Sequence, residues 1–248
     1  MIPNPIRKVL FTMAAYQVRA LLMGGQACVF YGAAEFSRDA DLFILAEPEN
    51  LERLRIALDS LQAECIAVPP FEAPFLHRGH AIHFRCNHPE AAGIRVDVMS
   101  VLRGVEAFEK VWERRTSIED TQGTTYELLS LPDLVRAKKT QRDKDWPMIK
   151  RLVEADYHQR PASPSPERIQ FWLQELRTPE LLIVLAKEFP QAINADCARP
   201  LLQYAKQGDI ESLDQALHTE EQEERKRDRE YWAPLRKELE KLRLERLR

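Results

Sequence analysis

Apolar positions in the first half of the chain alternate between helical and extended patterns. Asn4-Pro5, a capping side chain followed by proline at the first helical position, predicts a helix over 5–18. Ala20–Met23 is a short apolar run ended by Gly24-Gly25. It predicts a buried strand and a tight turn, with a helix over 26–34 behind it. Residues 41–45 read as the next strand, and Pro48 opens a helix to about Leu61, with Leu51, Leu54, Leu58 and Leu61 on one face. Residues 65–68, 80–86 and 94–99 predict three more strands. In the last, Ile94, Val96 and Val98 point one way, and Arg95, Asp97 and Met99 the other.

Beyond this point the pattern turns helical. A helix is expected over 105–112, and 117–126 fits a hairpin around Gln122-Gly123. Ser130-Leu131-Pro132-Asp133 reads as a capping box opening a helix through Lys139, followed by another over 144–156. Pro161, Pro164 and Pro166 with two serines make 158–166 the best linker in the chain. Ser165-Pro166 and Thr178-Pro179 are helix starts, and Gly208 is a helix stop. Residues 209–248 form one long charged helical pattern that Pro234 is expected to kink. The expectation is an α+β protein: a mixed sheet flanked by helices over 1–157, a linker over 158–166, and an all-helical region over 167–248.

Composition narrows the function. Of 248 residues 30% are charged, and the net charge of -3 gives no global attraction to nucleic acid, so RNA contact would need a local basic patch. The four cysteines are widely spaced with no CxxC pair, which fits reduced, buried thiols in a cytoplasmic protein. The N-terminal stretch contains Arg19 and lacks a signal-peptide pattern. The longest uncharged run, 20–34, is too short to span a bilayer. No membrane partner is expected. The chain has no GxxxxGK[ST], GxGxxG or GxSxG, so P-loop ATPase, dinucleotide-dependent redox and serine-hydrolase readings have no support.

The chemistry concentrates in one constellation. Gly24-Gly25 is followed after thirteen residues by Asp39-Ala40-Asp41. Aspartates two apart on a strand project to one face. Held that close they repel, and a hard divalent cation with a preference for oxygen relieves the repulsion. Asp97 lies in a later strand on the face opposite Val96 and Val98, and completes a three-carboxylate cluster if that strand lies beside the first. The glycine pair would let backbone amides approach phosphate oxygens, and the Ser37 hydroxyl adds a contact.

In these residues the chain resembles the DNA polymerase β-like nucleotidyltransferase superfamily. The matching stretches are Leu21-Leu22-Met23-Gly24-Gly25, then Ser37-Arg38-Asp39-Ala40-Asp41-Leu42, then Arg95-Val96-Asp97-Val98. The segment from Leu131 to Asp145 looks like the helical part of the branch holding abortive-infection and toxin–antitoxin nucleotidyltransferases. Two departures stand out: Gln26 replaces the usual small residue after the glycines, and Trp146-Pro147-Met148 replaces a further acidic residue. The resemblance implies a nucleotidyltransferase-type fold. It also implies Mg2+ (two ions during catalysis, with Mn2+ as substitute) on Asp39, Asp41 and Asp97. Gly24, Gly25, Ser37 and Lys138 would contact the nucleotide, and Asp145 would support the helical segment. The implied activity is transfer of a nucleoside monophosphate from an NTP to a hydroxyl acceptor, an RNA 3′ end or a protein before a small molecule. The alternative is a non-catalytic nucleotide-binding or protein-interaction module.

Two other signals have plainer readings. His77, His80, His83, Cys86 and His88 match no structural-zinc spacing with paired cysteines. His80 and Cys86 share a strand face with Ile82 and Phe84 and read as buried. His83 and Arg85 share the other face and are candidates for touching substrate. In the tail, Trp232, Leu235, Leu239 and Leu242 form an apolar stripe expected to dock on the main body, with a partner protein as the alternative. The basic end Arg243, Arg246 and Arg248 is too short to argue RNA binding alone.

Overall fold

The computed structural model describes residues 4–120, 123–193 and 199–246. Gln122, Cys197 and Arg248, which the sequence places in the hairpin turn, the cysteine set and the basic end, lie outside the described residues. By contact density the chain divides into two compact units, 1–137 with 231–248, and 138–230. Residues 158–166, read as a linker, fall inside the second unit. Among the described residues no helix is long and apolar enough to cross a membrane.

The first unit opens with α1 (Asn4–Ala15), which buries Ile6, Val9, Leu10 and Met13 on one helical face. β1 (Ala20–Met23) runs directly into the short α2 (Gly24–Phe30), and β2 (Asp39–Ile44) follows. α3 (Pro48–Ser60) buries Leu51, Leu54 and Leu58, as the leucine spacing predicts. Then come β3 (Ala63–Cys65), α4 (Ala73–His77), β4 (Ile82–Cys86), β5 (Arg95–Met99), α5 (Phe108–Glu113), β6 (Thr116–Glu119), β7 (Thr125–Leu128) and α6 (Leu131–Ala137). One half of the capping box before α6 forms. The Asp133 amide donates to Ser130 Oγ at 3.4 Å, and that hydroxyl donates back to Asp133 Oδ2 at 2.7 Å.

The seven strands form one mixed sheet, ordered β3-β4-β5-β2-β1-β7-β6. β2 pairs antiparallel with β1 and parallel with β5, so the central three strands come from distant parts of the sequence. Their apolar residues, including Leu21, Leu22, Phe43, Ile44, Val96 and Val98, are almost wholly buried. Strands covered on both sides need near-continuous apolar runs, and residues 42–45 supply one. Several edges differ from the sequence pattern. β3 ends at Cys65, ahead of Pro69 and Pro70, which lack the amide a ladder needs. β4 starts at Ile82, and α4, one turn long, is too short for periodicity to reveal.

The second unit is helical: α7 (Asp145–His158), α8 (Pro166–Glu175), α9 (Pro179–Glu188), α10 (Leu202–Gln207) and the first part of α11 (Ile210–Arg246). Ser165 caps α8 by accepting from the Arg168 amide, and Gly208, with φ +74, ends α10 in the left-handed region. Its core joins Trp146, Ile149, Leu152 and Tyr157 of α7 with Trp172 and Leu173 of α8 and Leu182 and Leu185 of α9. The Trp172 indole donates to Asp156 Oδ2 at 2.7 Å, satisfying the one polar atom of a fully buried ring.

α11 continues through Pro234 as one element. Its C-terminal part belongs to the first unit, where Trp232 and Leu235 lie against Gly79: a β-carbon on that glycine would stand 3.4 Å and 3.6 Å from their side chains. Glu238 accepts from Arg78 at 2.8 Å and meets His80 Nε2 at 2.9 Å. Trp232 and Leu235 of the tail's apolar stripe therefore dock within the first unit.

Candidate active site

Parallel pairing of β2 with β5 decides the geometry of the acidic residues. In the register Asp41 stands opposite Asp97, and Asp39 opposite Arg95. Alternation along each strand then puts Asp39, Asp41, Arg95 and Asp97 on one face. Strands lie about 5 Å apart, so neighbouring carboxylates there repel by roughly 1–3 kcal/mol at the effective dielectric of a protein surface. Asp97 is buried and Asp39 half-exposed. The sequence missed where β2 begins: the strand starts at Asp39, and so both aspartates of the pair are held by the ladder.

The glycine turn lies under this face. Gly24 has φ +65, a conformation that disfavours any side chain. A β-carbon there would stand 1.9 Å from Asp41 Oδ2. The Gly25 amide points at the same oxygen, 3.4 Å away, a long contact. A β-carbon on Gly25 would stand 2.8 Å from Ser37 Oγ. Ser37 in turn donates to the Asp39 carbonyl at 3.2 Å and accepts from the Asp39 amide at 3.4 Å. The missing side chains of the glycine pair thus make room for Asp41 and Ser37. Gln26, the departure noted in the sequence, is fully buried, and neither polar atom of its amide has a hydrogen-bond partner.

Two basic residues complete the cluster. Arg95 Nη2 lies 2.6 Å from Asp97 Oδ2 and 3.7 Å from Asp39 Oδ2. His83, opposite Asp97 across the β4–β5 ladder, places Nδ1 2.8 Å from Asp97 Oδ1. Burial pulls the Arg95 guanidinium down, but the hydrogen bond to Asp97 and the charges of Asp97, Asp39 and Asp41 outweigh it and hold it above its ordinary range. Asp39 and Asp97 thus meet the same guanidinium. The sequence put Arg95 on the right face without giving it a role; its i,i+2 spacing from Asp97 was the available signal.

The donor set fits a hard cation in kind, since all three acidic groups offer oxygen and Gly24 leaves Asp41 its place. Among the described residues no group of three or more His, Cys, Asp or Glu side chains stands close enough together to hold a metal ion. The guanidinium of Arg95 lies between two of the carboxylates. In the histidine-rich stretch His80 is buried with its Nε2 2.9 Å from Glu238, and burial pushes the Cys86 thiol up to about 11. Lys138 belongs to the second unit, where its ammonium is buried 3.5 Å from Asp145 Oδ1. Asp145 also accepts from Thr140 and Arg142 at the start of α7.

No family model matches the chain, and no curated protein matches it. The residues and their geometry are the ground for a function.

Proposed function

We propose that the chain is a metal-dependent nucleotidyltransferase of the polymerase β-like type, moving a nucleoside monophosphate from an NTP to a hydroxyl acceptor. The observation that carries this reading is the pairing of Asp41 with Asp97 on parallel strands, with Asp41 seated over a glycine that has no room for a side chain. Excess negative charge on a glycine-lined face is costly in itself and useful for holding a cation and its triphosphate.

Asp39, Asp41 and Asp97 would hold Mg2+, which when bound activates the acceptor hydroxyl and neutralises charge on the leaving pyrophosphate. The chain's own residues supply the positioning. The rigid ladder fixes the carboxylates on β2 and β5, so little reorganisation is needed as charge develops. The Gly24-Gly25 backbone lets phosphate oxygens approach closely, and Ser37 adds a hydroxyl at the same turn. The acceptor oxygen attacks the α-phosphorus, the bond to pyrophosphate breaks, and the hydroxyl proton leaves to solvent. In the same reading the acceptor is an RNA end or a protein before a small molecule, and the protein acts in the cytoplasm, in the manner of the toxin-like branch.

A second reading, a non-catalytic nucleotide-binding module, has its own support. Both oxygens of Asp97 already have cationic or imidazole partners in Arg95 and His83. Incubation with each α-labelled NTP, magnesium and total cellular RNA separates the two. Label in RNA or protein with pyrophosphate released by the wild type, and none with Asp39→Ala/Asp41→Ala, supports the enzyme. Nucleotide binding without pyrophosphate release supports the module. Absence of magnesium-dependent NTP binding would sink both.

A further inference from the structure

We infer that Arg95 is a built-in counter-ion of the carboxylate cluster, which holds Asp97 and Asp39 together and yields its place when a divalent cation enters; the inference rests on the metal-dependent reading above. The contact is dictated by the strand itself. Arg95 and Asp97 are two residues apart on β5, so both side chains leave on one face, and the register sets Asp39 directly across from Arg95. The guanidinium sits 2.6 Å from Asp97 and 3.7 Å from Asp39. Arginine has donors only, so it cannot ligate an ion itself, and on the oxygens it already holds it competes with one.

Its tether favours vacating. The Nε atom is buried and has no hydrogen-bond partner, so no acceptor ties that edge of the fork down. The side chain is still 42% exposed, which leaves a path outward to solvent. A guanidinium is cationic at any working pH. A divalent ion arriving at the same carboxylates therefore meets a like charge that competes for them. Removing that charge should strengthen ion binding, whereas removal of a residue that merely shapes the site should weaken it.

Mn2+ serves as the probe, its free concentration followed by electron paramagnetic resonance against the full-length protein. Arg95→Gln should bind Mn2+ about 10-fold more tightly than wild type, the scale of losing one like charge at short range near a surface. Arg95→Lys, which keeps the charge, should stay within about 2-fold of wild type. Equal or weaker binding by Arg95→Gln overturns the counter-ion role and leaves the metal site standing. Absence of Mn2+ binding in wild type and both variants overturns the metal reading and this inference with it. Should Arg95→Gln fail to fold, the wild-type arginine Nε–H resonance, identified by its loss in Arg95→Lys, gives a second readout. It should shift on saturation with Mg2+. A resonance unmoved while the ion binds refutes displacement.

Discussion

The protein contains two dense charge clusters with opposite accounts of their own charge. In the helical unit, Glu220 accepts from both nitrogens of the Arg199 fork at 2.8 Å and 3.0 Å and from Arg177 at 3.0 Å. The surplus donors of the two guanidiniums go to the carbonyls of Leu173, Leu176 and Leu217. That cluster is complete. On the sheet, Asp39, Asp41 and Asp97 crowd one face, and Asp39 and Asp97 meet the same guanidinium. Completed clusters staple structure, whereas carboxylates crowded on one face repel one another and favour a cation. Buried satisfied charges are weak evidence for function; crowded carboxylates over a glycine turn are stronger.

The largest effect expected from breaking the comparison is on activity. Asp39→Ala/Asp41→Ala should lower nucleotide transfer by at least about 10^3-fold, equivalent to about 4 kcal/mol of transition-state stabilisation, with the far-UV circular dichroism of wild type. The matching change in the helical unit should instead strike stability. Glu220→Gln leaves two largely buried guanidiniums without their carboxylate and should cost about 3 kcal/mol in urea unfolding. A loss under 1 kcal/mol would mean the carbonyls alone satisfy both arginines.

Gly24 ranks next. Gly24→Ala adds backbone strain at φ +65 and drives a carbon into Asp41, and should cost about 2–3 kcal/mol. Gly32→Ala, at φ +74 in open space, isolates the backbone share and should cost about 1 kcal/mol. Similar losses for the two would show that Asp41 is free to swing aside, and would weaken the case for a built site.

Acid should reveal the helical unit first. Burial pushes the Glu220 carboxyl up, but the hydrogen bonds and charges of Arg199 and Arg177 outweigh it and hold it below its ordinary value near 4.5. A depressed folded value contributes stability that is fully present above 4.5 and is lost as pH falls through the lower folded value. Asp145 is held down in the same way: burial raises it, and Thr140, Lys138 and Arg142 more than offset that. Thermal unfolding between pH 6 and about pH 3 should therefore show stability falling below about 4.5, and Glu220→Gln should flatten that slope.

Much of the sheet face was legible because alternation is local. β1 spans the residues its apolar run predicted, and residues 94–99 announced which side chains share a face. What the sequence withheld was pairing. Nothing local says that β2 lies between β1 and β5, so the meeting of Asp41 with Asp97 was conditional until the register was known. The helical staple was invisible for the same reason: Arg177 and Arg199 reach Glu220 across 43 and 21 residues, beyond any periodicity. The strand was placed two residues late, from Asp41, because its apolar run starts only at Leu42, while the ladder with Arg95 extends it back to Asp39.

The smallest effect is the sharpest test of the comparison. Neutralising a carboxylate in a complete cluster removes a partner, but neutralising one in a negative cluster removes a repulsion. Asp39 is the gentlest place to try, because its side chain is 41% exposed and its link to Arg95 is long at 3.7 Å. Solvent screens such a pair, so the lost attraction is worth a few tenths of a kcal/mol at most. The relieved repulsion from Asp41 and Asp97 has the opposite sign and is screened at this half-exposed side chain in the same way. Asp39→Asn should thus leave metal-free stability within about 0.5 kcal/mol of wild type, or raise it, while weakening Mn2+ binding. The salt response separates the cases further: added NaCl should stabilise the wild type more than Asp39→Asn, since screening and substitution relieve the same repulsion. If Asp39→Asn instead cost as much as Glu220→Gln, the sheet cluster would be a staple as well, and its excess charge would no longer argue for a ligand.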